Sequence, residues 1–205
     1  MPNWCETSYY FVGPEKEVRS LYRKILKWTS RGTLASDFGN AWLGNVANGA
    51  GIDWRDVRCR GTVDYIDLKK VNNRTVLYLE TETAWCPMNE FWDTILSKTA
   101  PDCSYYYLAM EPGCELYDTN DSSHEYFDTD YVVDAYWEDS YHEEFQEYFE
   151  EGLSEWNTRD LERVLQELLG DPDASMDKLI KEVNSMQDDW DSEDRIYIHE
   201  VSCAA

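Results

Sequence analysis

The spacing of apolar and polar positions divides the chain into short strands and amphipathic helices. Residues 5–12 are rich in Thr, Tyr, Phe and Val and stop at Gly13-Pro14, which predicts a strand and then a helix with Pro14 in its first turn. Val18, Leu21, Tyr22, Ile25 and Leu26 recur at the i, i+3, i+4, i+7, i+8 spacing of a helix ending near Trp28. Residues 30–54 carry Gly32, Gly39, Gly44, Gly49 and Gly51 and read as a long loop. Residues 58–68 and 74–82 predict two strands joined by Lys69-Lys70-Val71-Asn72-Asn73. A short helix with Phe91, Trp92, Ile95 and Leu96 on its buried face follows, then a strand over 103–110. This β-α-β-β-α-β order is the split-βαβ or ferredoxin-like plan, an α+β fold with two helices on one face of an antiparallel sheet.

Past residue 113 the pattern adds elements. Residues 114–119 and 128–137 predict strands that extend the same sheet. In the second, Asp128, Asp130, Val132, Asp134 and Tyr136 point to one face, and Thr129, Tyr131, Val133, Ala135 and Trp137 to the other. Helices are predicted over 142–151, 158–169 and 175–187. The middle one takes Thr158 as N-cap and stops at Gly170 and Pro172. Residues 188–194 read as a solvated loop and 195–201 as a closing strand. The expected organisation is a 1–112 core with a 113–205 acidic extension of strands and helices, packed on it as one globular unit.

Charge changes this picture. The net charge is −24, yet residues 1–112 carry 14 Asp and Glu against 13 Lys and Arg, while residues 113–205 carry 28 against 5. Between Thr99 and Thr158 there is no Lys or Arg, and the stretch is crowded with aromatic residues. Disordered acidic segments are poor in aromatics because they cannot bury enough apolar surface to offset chain entropy. The stretch therefore reads as folded, with charge displayed on a packed body. Such a charge repels nucleic acid and anionic membranes and attracts cationic protein surfaces. The N-terminus has neither the basic nor the apolar region of a signal peptide, and no apolar run approaches the ~18 residues that span a bilayer, so a cytoplasmic protein is expected. Its six cysteines are then expected to be reduced and mostly core fillers; without a CxxC pair, no zinc site is expected.

Met1-Pro-Asn-Trp-Cys5 at the first strand, Thr83-Ala-Trp-Cys-Pro87 entering the second helix and Glu111-Pro-Gly-Cys-Glu115 after the fourth strand carry a resemblance. Over roughly residues 1–120 the chain resembles the YubB ferredoxin-like family of plasmids, phages and integrative elements, which includes the Api-type phage proteins. It departs at Met88, where that family often has a second proline. The resemblance implies a ferredoxin-like fold and a mobile-element origin, and carries over no catalytic residue.

Candidate chemistry is sparse. His124, His142 and His199 each sit among carboxylates and belong to no HExxH or nucleophile arrangement, so they read as surface residues. A calcium loop from Asp118 fails at Ser123 and Thr129, where glycine and a bidentate glutamate belong. The Gly44–Gly51 run lacks the GxxxxGK[ST] pattern of a phosphate cradle. No cofactor, metal or catalytic residue is expected. The candidate site is instead an acidic surface: Asp128, Asp130, Asp134, Glu138, Asp139, Glu143, Glu144, Glu147, Glu150, Glu151 and Glu155. On a helix over 142–151, Glu143/Glu147, Glu144/Glu147, Glu147/Glu150 and Glu147/Glu151 repel, at ~0.2–0.5 kcal/mol each. Carboxylates two apart on a strand lie ~6.6 Å apart, against ~3.4 Å between phosphates of a duplex strand, so an acidic ridge can lie in a basic groove. The expectation is a non-enzymatic nucleic-acid mimic of a mobile element that inhibits a basic host defence or DNA-processing protein. Two alternatives stand beside it: a ferredoxin-like binding module whose acidity only solubilises, and a small enzyme with a His/carboxylate site.

Overall fold

Two apolar patterns organise the chain, and each builds its own sheet and core. The computed structural model describes residues 3–30, 38–138, 142–186, 190 and 193–203. It is a mixed α+β fold that divides into two compact units, Met1–Tyr126 with Cys203–Ala205, and Phe127–Ser202. Charge had set the expected boundary at 112/113; contacts divide the chain after Tyr126.

In the first unit, β1 (Trp4–Val12) lies between β3 (Arg74–Ala84) and β4 (Ser104–Glu111), antiparallel to both. β2 (Gly61–Val71) pairs with β3 through a turn in which Asn72 and Asn73 take φ of 49° and 63°. Asparagine tolerates this left-handed conformation, which matches the twist of a two-residue hairpin. β5 (Leu116–Thr119) pairs with β4, and the six-stranded, mostly antiparallel order is β2-β3-β1-β4-β5-β9, where β9 is Ser202–Cys203. The inward residues of β1 are Cys5, Tyr9 and Phe11. Onto them pack Val18, Leu21 and Ile25 of α1 (Glu15–Ser30) and Phe91, Trp92, Ile95 and Leu96 of α3 (Asn89–Thr99). Trp92 meets Phe11 edge-on at 5.2 Å between centroids.

The expected loop over 30–54 contains a helix, α2 (Leu43–Gly49). Its glycines are there for close approach: a Cβ on Gly44 would lie 2.3 Å from the Trp42 ring, and one on Gly49 2.2 Å from Trp28. Leu43, Val46 and Ala47 are buried as a result. Residues 31–37 of that expected loop lie outside the described residues.

In the second unit, β6 (Tyr131–Tyr136) is the centre of a separate antiparallel sheet, ordered β7-β6-β8, with β7 Gly152–Trp156 and β8 Arg195–Glu200. It does not extend the first sheet, contrary to the expectation for residues 128–137. Alternation specifies which residues share a face and leaves the pairing partner open. Val133 and Ala135 face a core closed by Leu161 and Leu165 of α5 (Thr158–Leu169), Leu179 and Val183 of α6 (Met176–Met186), and Ile196 and Ile198. The N-cap of α5 is Asn157, whose side chain accepts from Asp160 N, rather than Thr158; Gly170 ends the helix at φ 66°. The helix expected over 142–151 contracts to one turn, α4 (Glu143–Gln146). Beyond it the Phe149 carbonyl accepts from the Trp137 indole at 2.9 Å, and Gly152, at φ 102°, starts β7. Packing of Trp137 and the repulsion among uncompensated glutamates both oppose further helix. Of the cysteines, Cys5 and Cys59 are buried; Cys86 and Cys103 are half-buried, and Cys114 and Cys203 are exposed, so most are not core fillers.

Candidate functional site

The structure spreads the expected acidic surface over loops, one helical turn and the β6 and β7 strands of the second unit. Asp128, Glu138, Glu143, Glu144, Glu147, Glu150, Glu151 and Glu155 are exposed, Asp130 and Asp134 are half-buried, and Asp139 lies outside the described residues. Helical main-chain bonds reach only to Phe149, so Glu143 and Glu147 stand one turn apart while Glu150 and Glu151 leave the expected helical stripe. Among the described residues, none of the exposed eight forms an ion pair with Lys or Arg. The negative field registers on two neighbouring phenols. Burial and then Glu200, Asp130, Asp177 and Glu162 push the Tyr131 hydroxyl above its ordinary value, and burial and then Glu167 do the same to Tyr148.

Several carboxylates also hold the fold. Asp130 Oδ2 accepts from Thr158 N at 2.7 Å and Thr158 Oγ1 at 2.6 Å, at the positive end of α5. Glu155 accepts from Thr129 Oγ1 at 2.8 Å, and Asp128 from Asn157 Nδ2 at 3.3 Å. Asp194 was expected in a solvated loop, yet it is fully buried, and its Oδ1 accepts from Glu138 N at 2.8 Å. Asp188, Asp189, Asp191 and Ser192 of that expected loop lie outside the described residues. His142 was expected at the surface but is half-buried. It stacks on Trp190 at 3.9 Å, with Nε2 4.0 Å from Asp194 Oδ2. His199 is half-buried on β8, and His124 is exposed in a turn at φ 52°.

The first unit holds a feature that sequence spacing did not indicate: an open cleft of about 630 Å³ among Trp4, Phe38, Trp42, Trp54, Arg55, Val57, Cys59, Arg60, Gly61 and Thr62. Its floor is Trp42, at 6% exposure, bridged in the main chain to Thr62. Trp54 meets that ring edge-on at 5.3 Å and Phe38 lies tilted on it at 5.0 Å. Trp54 stands on a short 3₁₀ turn capped by Asp53, which accepts from Arg55 N. Asp53 also grips the Arg55 guanidinium through Nε at 2.9 Å and Nη2 at 2.8 Å, which fixes it over Trp54 at 5.9 Å. Cys59 donates to the Trp54 carbonyl at 3.5 Å, and burial raises its thiol above the ordinary value. The sole signal in the chain was the density of Trp42, Trp54 and glycine, which loop composition alone explains as well.

Comparison with known proteins finds no matching family model, no matching curated protein and no matching solved structure. Among the described residues, no helix is long and apolar enough to cross a membrane.

Proposed function

We propose that the chain is a non-enzymatic interaction protein of a mobile genetic element, in which an acidic second unit occupies the basic nucleic-acid groove of a host defence or DNA-processing protein in the cytoplasm. The observation that carries this reading is the concentration of negative charge in one compact unit. Residues 127–202 carry 24 Asp and Glu against 5 Lys and Arg, and the rest of the chain 18 against 13. Acidity needed only for solubility has no reason to concentrate in one unit. The acidic surface acts as a field of many exposed charges on a folded support, and its attraction is expected to weaken steeply with salt. The order β2-β3-β1-β4 of the first unit, with antiparallel neighbours and α1 and α3 packed on the sheet, supports reading it as a ferredoxin-like support.

The test is immobilisation of the protein, capture from host lysate and elution with duplex DNA. A basic DNA-binding protein displaced by duplex, and not retained when Glu143, Glu144, Glu147, Glu150 and Glu151 are changed to Gln, supports the reading. Equal retention by both forms, or no displacement by duplex, overturns it. Asp130 and Asp194 stay unchanged because the fold uses them.

A further inference from the structure

We propose that the cleft of the first unit binds a small planar aromatic anion, its ring stacked among Trp42, Trp54 and Phe38 and its charge met by Arg60. This site is independent of the acidic second unit and of the function proposed for it.

Shape gives the first argument. The volume of about 630 Å³ falls in the ~300–1,000 Å³ range of small-molecule sites. Three aromatic side chains at edge-on and tilted angles leave ring faces and edges turned to one space, which suits a flat ring. Two of these walls are preformed. Trp42 belongs to the hydrophobic core, and Trp54 is held by the capped turn, so little ordering entropy is lost on binding.

Charge gives the second. Arg55 has its guanidinium fork engaged by Asp53. Arg60, exposed on the opposite stretch of the lining, forms no ion pair among the described residues. Among the described residues that line the cleft none is Asp or Glu, and with Arg55 paired to Asp53 its uncompensated charge is that of Arg60, in a protein whose net charge is −24. Arg60 repels the quaternary ammonium that aromatic walls could otherwise hold. A planar guanidinium prefers a carboxylate or phosphate, which it can meet with two parallel bonds.

The test titrates the full chain with 1-naphthoate and adenosine monophosphate, their neutral counterparts 1-naphthamide and adenosine, and benzyltrimethylammonium as the cation. Binding is read from the indole N–H resonances of Trp42 and Trp54. At least one anion shifts both signals saturably, and its neutral counterpart binds about tenfold more weakly. Arg60→Gln lowers anion affinity about tenfold and leaves the neutral counterpart unchanged. Trp54→Ala abolishes binding while the amide signals of β1 and β4 keep their positions, which separates a lost wall from a lost fold. The proposal is overturned if neither anion saturates at millimolar concentration, if the cation binds as tightly, or if Arg60→Gln changes nothing.

Discussion

The two units solve one packing problem with opposite electrostatics. Each covers an antiparallel sheet with helices and buries a contiguous apolar cluster, and the two clusters share no residue. In the first unit carboxylates meet cations: Glu15 with Arg19, Asp53 with Arg55, Glu125 with Arg74. The second has few cations to offer. Asp160 and Asp171 reach Arg163 and Lys178, but Asp130, Glu155 and Asp194 accept from backbone N–H or hydroxyl groups. Apolar periodicity thus specifies a packed sheet whatever the surface charge. Where cations are scarce, carboxylates move to helix ends and strand edges, where unpaired donors stand ready.

The most severe test of this comparison is in the cores. Trp92→Ala in the first unit is expected to cost about 3–5 kcal/mol, and Leu165→Ala in the second about 2–5 kcal/mol. Hydrogen exchange then locates each loss: Trp92→Ala exposes β1 and β3 amides while those of β6 and α5 keep their protection, and Leu165→Ala does the reverse. Equal loss in both units would show a single cooperative core and remove the contrast.

Asp130→Ala comes next. It removes two acceptor bonds at the start of α5 and is expected to destabilise by about 1–2 kcal/mol in urea unfolding, whereas Glu143→Ala changes stability by less than about 0.5 kcal/mol. Similar values for both would mean that the structural and displayed carboxylates are not distinct classes. The five-glutamate-to-glutamine variant has a smaller effect, a gain below about 1 kcal/mol at low salt that shrinks as salt is added, seen as a converging shift in Tm.

The finest distinction is in pH. In the first unit, hydrogen bonds from Arg19 and Thr75 hold the Glu15 carboxyl below its ordinary 4.5. A depressed folded value means that its contribution is present above the unfolded value and lost as pH falls through the folded one. Wild type and Glu15→Gln are therefore expected to differ near neutrality and converge in acid, with the depression itself read from the carboxyl carbon shift of Glu15.

Periodicity made α1, α3, α5 and α6 legible, because Val18, Leu21 and Ile25, or Leu161, Val164 and Leu165, recur at helical spacing and are buried. It missed α2, whose Leu-Gly-Asn-Val-Ala-Asn-Gly is poor in helix formers and is held by ring packing from Trp28 and Trp42. It overextended α4, since Phe145 and Phe149 fit a helix stripe while the Phe149 carbonyl is taken by Trp137. Charge alone marked the carboxylates that reach solvent. It could not mark Asp130 or Asp194 as structural, because their donors, Thr158 and Glu138, are distant in sequence. The cleft was illegible for the same reason: its walls come from positions 4, 38, 42 and 54–62.

Gly44 and Gly49 also set a rule for how this chain can change over generations. A methyl group at either position would enter an indole ring, so each glycine is locked to its tryptophan, Gly44 to Trp42 and Gly49 to Trp28. Neither glycine can gain a side chain unless its tryptophan changes first. In a library randomised at all four sites, larger residues at 49 should be recovered with smaller ones at 28. Position 44 should open only when Trp42 shrinks, and that exchange removes the floor of the cleft.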